Sequence, residues 1–115
     1  MNIKNIAIIL LFFSSYAYSG PPTIEEYQDN QDTGVHDTYI YGLERGLEWA
    51  NEYMFQKHSI EIYCKPSDLS LSSKQLRKII DKTIQKNITF YTKYKSAPLV
   101  GLALRNGYIA NFPCN

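Results

Sequence analysis

The chain has 115 residues, of which 44% are hydrophobic and 20% charged, and its formal net charge is +1. This composition is too apolar and too aromatic for a disordered chain, and two cysteines are too few for a disulfide-dense miniprotein or a four-cysteine zinc site. The length allows one domain. A nearly neutral chain lacks the basic excess typical of nucleic-acid-binding proteins, so we expect no nucleic-acid partner.

Residues 1–19 have the features of a secretory signal peptide. A single lysine precedes an apolar run at 6–13, and Ala17 and Ser19 supply the small residues expected before a cleavage site, which we place before Gly20. The alternative is an uncleaved anchor, but the run is shorter than the roughly 20 residues that a membrane span requires. We therefore predict an exported protein with no membrane insertion after cleavage.

Both cysteines, Cys64 and Cys114, lie in the mature part of the chain. Export places them in an oxidising compartment, where an even number of cysteines usually forms bridges. The bond would close a loop of about 50 residues, worth roughly 4 kcal/mol in the chain-entropy model, and would hold the C-terminus in place. The alternative, a reactive or metal-binding thiol pair, lacks CxxC spacing and a nearby histidine.

The segment 20–36 is polar and acidic, and we expect a loose leader with one helical turn at 23–27. A helix follows from Asp37, with Asp37 or Thr38 as its cap. Its apolar residues recur at steps of three and four, which is typical of a helix with one buried face. These residues are Ile40, Leu43, Leu47, Ala50 and Met54.

Two further patterns mark the same helix. Gly42 and Gly46 lie four residues apart on an adjoining face, and we interpret them as a site of close packing within the fold rather than as a dimerisation signature. An acidic row should occupy the solvated outer face. It consists of Glu44, Glu48 and Glu52.

The next segment, 58–64, alternates in polarity, which predicts a short extended stretch that buries Ile60, Ile62 and Cys64. Residues 65–68 then form a turn. A second helix begins after Ser72, which stands at capping-box spacing from Gln75, and ends near Asn87. Its apolar face comprises Leu76, Ile79, Ile80, Thr83 and Ile84.

Residues 88–95 either continue this helix irregularly or form an aromatic, basic loop. Ser96 can cap a third helix with Pro98 in its first turn. Residues 99–104 are apolar nearly all round, which predicts a buried central helix that ends at 112–114. The fold class is therefore all-α, with a small helical domain of three to five helices at 37–115 and one disulfide.

Charge is distributed unevenly along the mature chain. Residues 20–61 contain nine acidic and two basic side chains, a net charge of −7, whereas 62–115 contain nine basic and two acidic, a net charge of +7. Two interpretations stay open: the halves face each other or simply carry solvated surfaces, or the surface is electrically polar and steers a charged protein partner.

The sequence contains no recognisable catalytic motif. His36 and His58 have no metal-ligand spacing, and the sequence contains neither a GxSxG elbow nor a phosphate-binding glycine loop. We therefore predict a protein that is not an enzyme and has no catalytic, cofactor-binding or metal-binding residues. Tyrosine is enriched at protein interfaces, and an alternation of tyrosine and lysine makes a candidate partner-binding surface. Its residues are Tyr91, Lys93, Tyr94 and Lys95.

Several short blocks occur together between Tyr39 and the C-terminus. They are Tyr41-Gly42-Leu43, Tyr63-Cys64-Lys65-Pro66, Ser73-Lys74-Gln75-Leu76, Ala103-Leu104 and Phe112-Pro113-Cys114. With these blocks the chain resembles the Rap/Tai family of bacterial immunity proteins associated with type VI secretion. The resemblance implies a periplasmic helical domain, often a homodimer, in which Cys64 and Cys114 match the bridged pair.

The same resemblance implies a function. Such proteins bind a peptidoglycan-cleaving amidase injected by neighbouring cells and occlude its active site, which requires no catalytic residues. The alternative is a periplasmic acid-stress chaperone of the HdeA type, which is also small, helical and singly disulfide-bonded. A chaperone would expose apolar surface at low pH, whereas an immunity protein would form one tight stoichiometric complex.

Overall fold

The computed structural model describes residues 20–115, so the predicted signal peptide at 1–19 lies outside the described residues. Within 20–115 the chain forms five α-helices and no β-strand, and Cys64 is bonded to Cys114. The predicted all-α class with one disulfide is therefore confirmed. No helix of this part of the chain is long and apolar enough to cross a membrane. The helices are α1 (Ile24–Asp29), α2 (Asp37–His58), α3 (Ser73–Lys86), α4 (Ile88–Lys93) and α5 (Val100–Asn111).

The acidic leader at 20–36 contains the predicted helical turn as α1, but the expectation that the leader is loose is wrong. Its short helix α1 buries Ile24 and Tyr27, each 1% exposed, in the main core. The backbone N–H of Ile24 donates to the carbonyl of Ala97 at 3.1 Å, and the N–H of Glu25 donates to the carbonyl of Lys95 at 3.0 Å. Two apolar side chains in a polar segment give little periodic signal, but here they are enough to attach the segment to the domain.

Helix α2 has the predicted position but only part of the predicted face. Ile40 is fully buried, and Leu43 and Leu47 pack against the core. Ala50, in contrast, is exposed, and Met54 is only half-buried. The predicted cap is also wrong: the residue before the helix is His36, which makes no side-chain capping bond.

The predicted burial of the extended segment after α2 is correct only in part. Ile62 packs against the core and Cys64 is half-buried, but Ile60 and Tyr63 differ from the prediction. Ser59, with φ 57°, ends α2 in the left-handed region. Ile60 is 58% exposed whereas Tyr63 is 2% exposed, so the tyrosine rather than the isoleucine enters the core. The predicted turn is confirmed by a hydrogen bond from the N–H of Leu69 to the carbonyl of Pro66 at 3.1 Å. We call residues 59–72 the strap.

Helix α3 is as predicted. The Ser72 hydroxyl accepts from the N–H of Gln75 at 3.2 Å, and the Gln75 side chain accepts from the N–H of Ser72 at 2.9 Å, which completes the capping box. Asn87 ends the helix, and α4 follows at once, so residues 88–93 continue irregularly as a helix. The buried side chains of α3 are Leu76, Ile80, Thr83 and Ile84.

Helix α5 is the buried central helix, as predicted. Val100, Ala103, Leu104 and Tyr108 are all fully buried. Its start differs from the prediction, because Leu99 precedes the helix with no side-chain capping bond, while Ser96 and Pro98 lie before it. Burial of Val100 and Ala103 in the first turn stabilises this end without a polar cap.

Gly107 allows α5 to lie directly against α3. A Cβ atom built on Gly107 would overlap the side chain of Ile79 and approach the hydroxyl oxygen of Thr83 to 2.8 Å. Gly42, on α2, presents the opposite case, because a Cβ atom there would meet nothing within 4 Å. The two glycines therefore differ in packing while both lie in helices.

We expect Gly107→Ala to lower the free energy of unfolding by about 1–3 kcal/mol, because overpacking forces α3 and α5 apart. Gly42→Ala should instead raise it by up to about 1 kcal/mol, because alanine is the better helix former and the added methyl meets no other group. Urea unfolding of both variants in dilute solution measures the difference. An unchanged stability in Gly107→Ala would contradict the close packing of the two helices.

Candidate functional site

A lysine inside the protein connects the strap to two helices. The ammonium group of Lys65 lies 2.6 Å from Glu48 Oε1 and 3.7 Å from Glu44 Oε2, and its side chain is 8% exposed. The hydroxyl of Tyr108 donates a hydrogen bond to Glu44 Oε2. Lys65 also donates to the carbonyl oxygen of Leu69 at 3.0 Å. Charge and hydrogen bonds thus join α2, α5 and the strap at one point.

The acidic row predicted for the outer face of α2 is therefore divided. Glu44 is 7% exposed, so its placement on the outer face is wrong. Glu48 is partly buried beside Lys65, and of the three only Glu52 is exposed. A buried carboxylate requires a partner to offset its desolvation, and the lysine that supplies it lies 21 residues further along the chain.

Further contacts hold the strap on two sides. Asn51 of α2 donates from Nδ2 to the carbonyl of Tyr63 at 3.0 Å and accepts from the N–H of Ile62 through Oδ1. The N–H of Cys64 donates to the carbonyl of Phe112 at 2.7 Å, and the Cα atoms of Cys64 and Cys114 lie 5.0 Å apart across the disulfide. The strap is thus fixed to α2 by an amide and to the end of α5 by a covalent bond.

Burial changes the acidity of the tyrosines that enclose this cluster. The pKa of Tyr63 is raised to about 12, mainly by burial and to a smaller extent by the negative charges of Glu48 and Glu44. Burial also raises the pKa of Tyr108, and its hydrogen bond to Glu44 adds to this rise. Both phenols are therefore neutral at any physiological pH, and they act as packing and hydrogen-bonding groups.

The structure does not assemble a catalytic site from the residues considered in the sequence. His36 precedes α2 and His58 ends it, so a helix of 22 residues separates them by roughly 30 Å. Among residues 20–115, one group of potential metal ligands lies within 4.8 Å, namely Glu61, Cys64 and Cys114. The two sulfur atoms are bonded to each other and hence are not available as thiolate ligands.

The predicted tyrosine–lysine surface is partly correct in its exposure. Lys93, Tyr94 and Lys95 are exposed, but Tyr91 is 2% exposed and belongs to the core, so its inclusion in a partner-binding surface is wrong. The spacing in the sequence did not distinguish the two tyrosines: Tyr91 lies within α4 and is buried, whereas Tyr94 is the residue at which α4 ends and is exposed. The exposed ring of Phe90, missed in the sequence, lies 5.0 Å from that of Tyr94 and extends the surface.

The two oppositely charged halves of the chain do meet. Lys65 pairs with Glu44 and Glu48, and Arg77 of α3 pairs with Asp37 at the start of α2. Each of these pairs joins the acidic half to the basic half. The other basic side chains of 62–115 are all exposed and form no ion pair within the described chain. They are Lys74, Lys78, Lys82, Lys86, Lys93, Lys95 and Arg105.

A third feature is an open groove of about 590 Å³ between α2 and α5. Gly42 and Gly46 form its α2 side, and a Cβ atom at either would meet nothing within 4 Å. The prediction that they serve close packing within the fold is therefore wrong. We call this feature the glycine groove. It is lined by Tyr39, Gly42, Leu43, Gly46, Leu47, Gly101, Leu102 and Arg105.

Comparisons with known proteins add no assignment to this geometry. The chain matches no protein-family model, no curated protein and no solved structure.

We expect Lys65→Met to lower the free energy of unfolding by about 3–5 kcal/mol, because it leaves the buried carboxylate of Glu44 without a countercharge. The matched control is Arg45→Met, which removes the other basic partner of Glu48, at 3.3 Å. The Arg45 side chain is 65% exposed, so its loss should cost about 1 kcal/mol or less. Urea unfolding at neutral pH measures both values, and equal losses would contradict a special role for Lys65.

The raised pKa of Tyr63 leads us to expect a loss of stability at alkaline pH. The pKa of Tyr63 is raised to about 12 in the folded protein, whereas an unfolded tyrosine titrates near 10. The folded state therefore retains its proton where the unfolded state loses it, and stability falls as the pH rises from about 10 to about 12. Tyr63→Phe should reduce this fall, as followed by thermal unfolding, whereas the exposed Tyr53→Phe should leave it unchanged.

Proposed function

We propose that the protein is an exported, periplasmic binding protein that neutralises a peptidoglycan amidase effector by occluding its active site. One observation supports this above the others: the exposed basic side chains follow one another along α3, α4 and the segment after α4, beside exposed aromatic rings. The resemblance to type VI secretion immunity proteins supplies the class of partner.

The charge arrangement favours recognition of an acidic protein surface. Lys65 and Arg77 are neutralised by contacts with the acidic half, and seven basic side chains are left on the surface. Complementary charge accelerates association and selects among partners. We therefore expect the effector to present acidic residues around its active-site cleft.

The aromatic surface supplies the apolar contact that charge alone lacks. Phe90 and Tyr94 are each 43% exposed, and Lys93 lies 5.4 Å from the centre of the Tyr94 ring. Aromatic residues concentrate binding energy at protein interfaces. Since α4 ends at Lys93 and Glu25 binds the backbone of Lys95, this surface stands on an ordered backbone and would lose little conformational entropy on binding.

The first test is whether a neighbouring open reading frame encodes a peptidoglycan amidase, and the second is co-expression of that amidase with the protein. The wild-type protein should restore growth of cells that receive the amidase in the periplasm, and the two should co-purify in a fixed ratio. Lys93→Glu/Lys95→Glu should weaken binding by about tenfold or more, by calorimetry. Lys78→Glu/Lys82→Glu, with the same change in charge on α3, should weaken it less.

Two outcomes would count against the proposal. A wild-type protein that neither rescues growth nor co-purifies with the amidase would overturn neutralisation. Equal losses in the two charge-reversal variants would overturn the placement of the contact at the α4 surface, because a general loss of electrostatic steering affects both alike.

The ion pairs give one reason to test the second function, an acid-stress chaperone of the HdeA type. The contacts that join the two halves depend on ionised carboxylates at Asp37, Glu44 and Glu48. Protonation removes these contacts and favours exposure of the core. A titration from neutral pH to about pH 2 with an apolar fluorescent dye separates the two functions. Reversible exposure with protection of a client protein would favour the chaperone.

A further inference from the structure

A pocket of about 260 Å³ opens between α2 and the strap, and it shares no lining residue with the glycine groove. Residues three and four apart are neighbours on a helix, and alternate residues of an extended chain lie on one side. The pocket is formed by both patterns. From α2 it takes Glu48, Glu52 and Phe55, and from the strap Glu61, Tyr63 and Lys65. We call this feature the acid pocket.

The acid pocket is negatively charged, although the formal net charge of the whole chain is +1. The carboxylates of Glu48, Glu52 and Glu61 line it, against the ammonium group of Lys65. Lys65 already pairs with Glu44 and Glu48. Within residues 20–115 neither Glu52 nor Glu61 forms an ion pair, so two negative charges at the pocket are left without a countercharge.

Both of these carboxylates can accept further hydrogen bonds. The Glu61 carboxylate has one polar contact in the described part of the chain, with the Sγ atom of Cys64. That sulfur is bonded to Cys114 and carries no hydrogen to donate. The Glu52 carboxylate accepts one hydrogen bond, from Nε2 of Gln56 at 3.3 Å. The pocket is therefore rich in acceptors and poor in donors.

A buried hydroxyl at the inner end of the pocket also lacks a partner. Tyr63 is 2% exposed, and its hydroxyl has no hydrogen-bond partner among residues 20–115. Its side chain lies on the pocket side of the strap, with those of Glu61 and Lys65. Buried polar atoms are nearly always hydrogen-bonded. The unpaired hydroxyl therefore points to a polar ligand that completes the site.

An aromatic ring forms the outer edge of the pocket. Phe55 is 53% exposed and follows Glu52 by three residues on α2. The face of an aromatic ring attracts cations, arginine more often than lysine. A guanidinium group is planar, stacks on aromatic rings and is more weakly hydrated than an ammonium group. Carboxylates beside an exposed ring therefore favour a guanidinium ligand.

The spacing of the carboxylates favours an organic cation over a metal ion. Among residues 20–115, one set of three potential metal ligands lies within 4.8 Å, namely Glu61 and the two bridged cysteines. The three carboxylates of the pocket are thus too far apart to share one ion, whereas a guanidinium group spreads five N–H donors over a plane. The volume is below the roughly 300–1,000 Å³ of small-molecule sites, so the pocket suits a single side chain.

We infer that the acid pocket binds an arginine side chain presented by another polypeptide. The guanidinium group lies between the carboxylates of Glu52 and Glu61, with one face against the ring of Phe55 and one N–H directed to the Tyr63 hydroxyl. The inference does not rest on the proposed function. The acid pocket belongs to α2 and the strap and takes a basic group, whereas the α4 surface is itself basic.

A comparison of two probes tests the chemistry of the ligand. The disulfide-bonded protein is titrated with N-acetyl-arginine amide and followed by NMR, and the backbone signals of the strap should shift. N-acetyl-citrulline amide has the same shape without the charge, and it should bind at least about tenfold more weakly. Agmatine carries the guanidinium group without the peptide portion, and it should bind no more tightly than the arginine probe.

Variants of the pocket test its position. Glu52→Gln/Glu61→Gln should weaken binding of the arginine probe by about tenfold or more. Both side chains are exposed, so the fold should be retained. The matched control is Glu25→Gln/Asp29→Asn, which makes the same change in charge at exposed positions of α1 and should weaken binding less.

Tyr63→Phe tests the buried hydroxyl separately. This change removes a group that has no partner in the described chain, so the free energy of unfolding at neutral pH should not fall. Binding of the arginine probe should nevertheless weaken by about threefold or more, because one hydrogen bond to the ligand is lost. Unchanged binding would remove the hydroxyl from the site.

Four results would overturn the inference. The strap signals would not shift with the arginine probe at tens of millimolar, or the citrulline probe would bind equally well. Equal losses in the two double variants would show a general effect of charge rather than a site. Tighter binding of agmatine than of the arginine probe would identify the ligand as a free small molecule rather than a side chain of a polypeptide.

Discussion

The structure depends on the position of Lys65, whose charge is held inside the protein between Glu44 and Glu48. This contact brings the strap against α2, and the disulfide one residue earlier in the chain fixes the same strap to the end of α5. An ion pair removed from water contributes little net stability by itself but strongly disfavours arrangements in which one member is left alone. The charge therefore selects this arrangement of the strap, and the covalent bond maintains it.

The apolar core around this point follows from two helices that could be identified in advance. Helices α3 and α5 approach at Gly107, and Tyr108 of α5 carries the contact on to the polar cluster, with its ring 5.0 Å from that of Tyr63. Tyr108 therefore serves both packing and hydrogen bonding: its ring packs edge-to-face against that of Tyr63, and its hydroxyl donates a hydrogen bond to Glu44. The core and the ion-paired cluster are thus parts of a single contact network.

The contacts in the interior also determine which surfaces are left for partners. Lys65 and Arg77 form ion pairs within the fold. The basic surface therefore consists of the other basic side chains, which lie on α3, α4, the segment after α4 and α5. Because α2 uses one face for the core, Trp49 and the glycines lie on the other. The basic, aromatic surface of α4 and the exposed side of α2 therefore lie on different elements, while Arg105 of α5 borders the glycine groove.

The sequence by itself determined the elements whose signal is local. The capping box at Ser72, the apolar face of α3, the buried face of α5 and the bond between the two cysteines all follow from spacing, hydrophobicity or the number of cysteines. Only the tertiary structure decided that Glu44 is buried, that Tyr91 belongs to the core and that the leader at 20–36 is attached through Ile24. Each of these depends on a partner distant in the chain, and periodicity records the side chains of one helix but not the identity of the group that meets them.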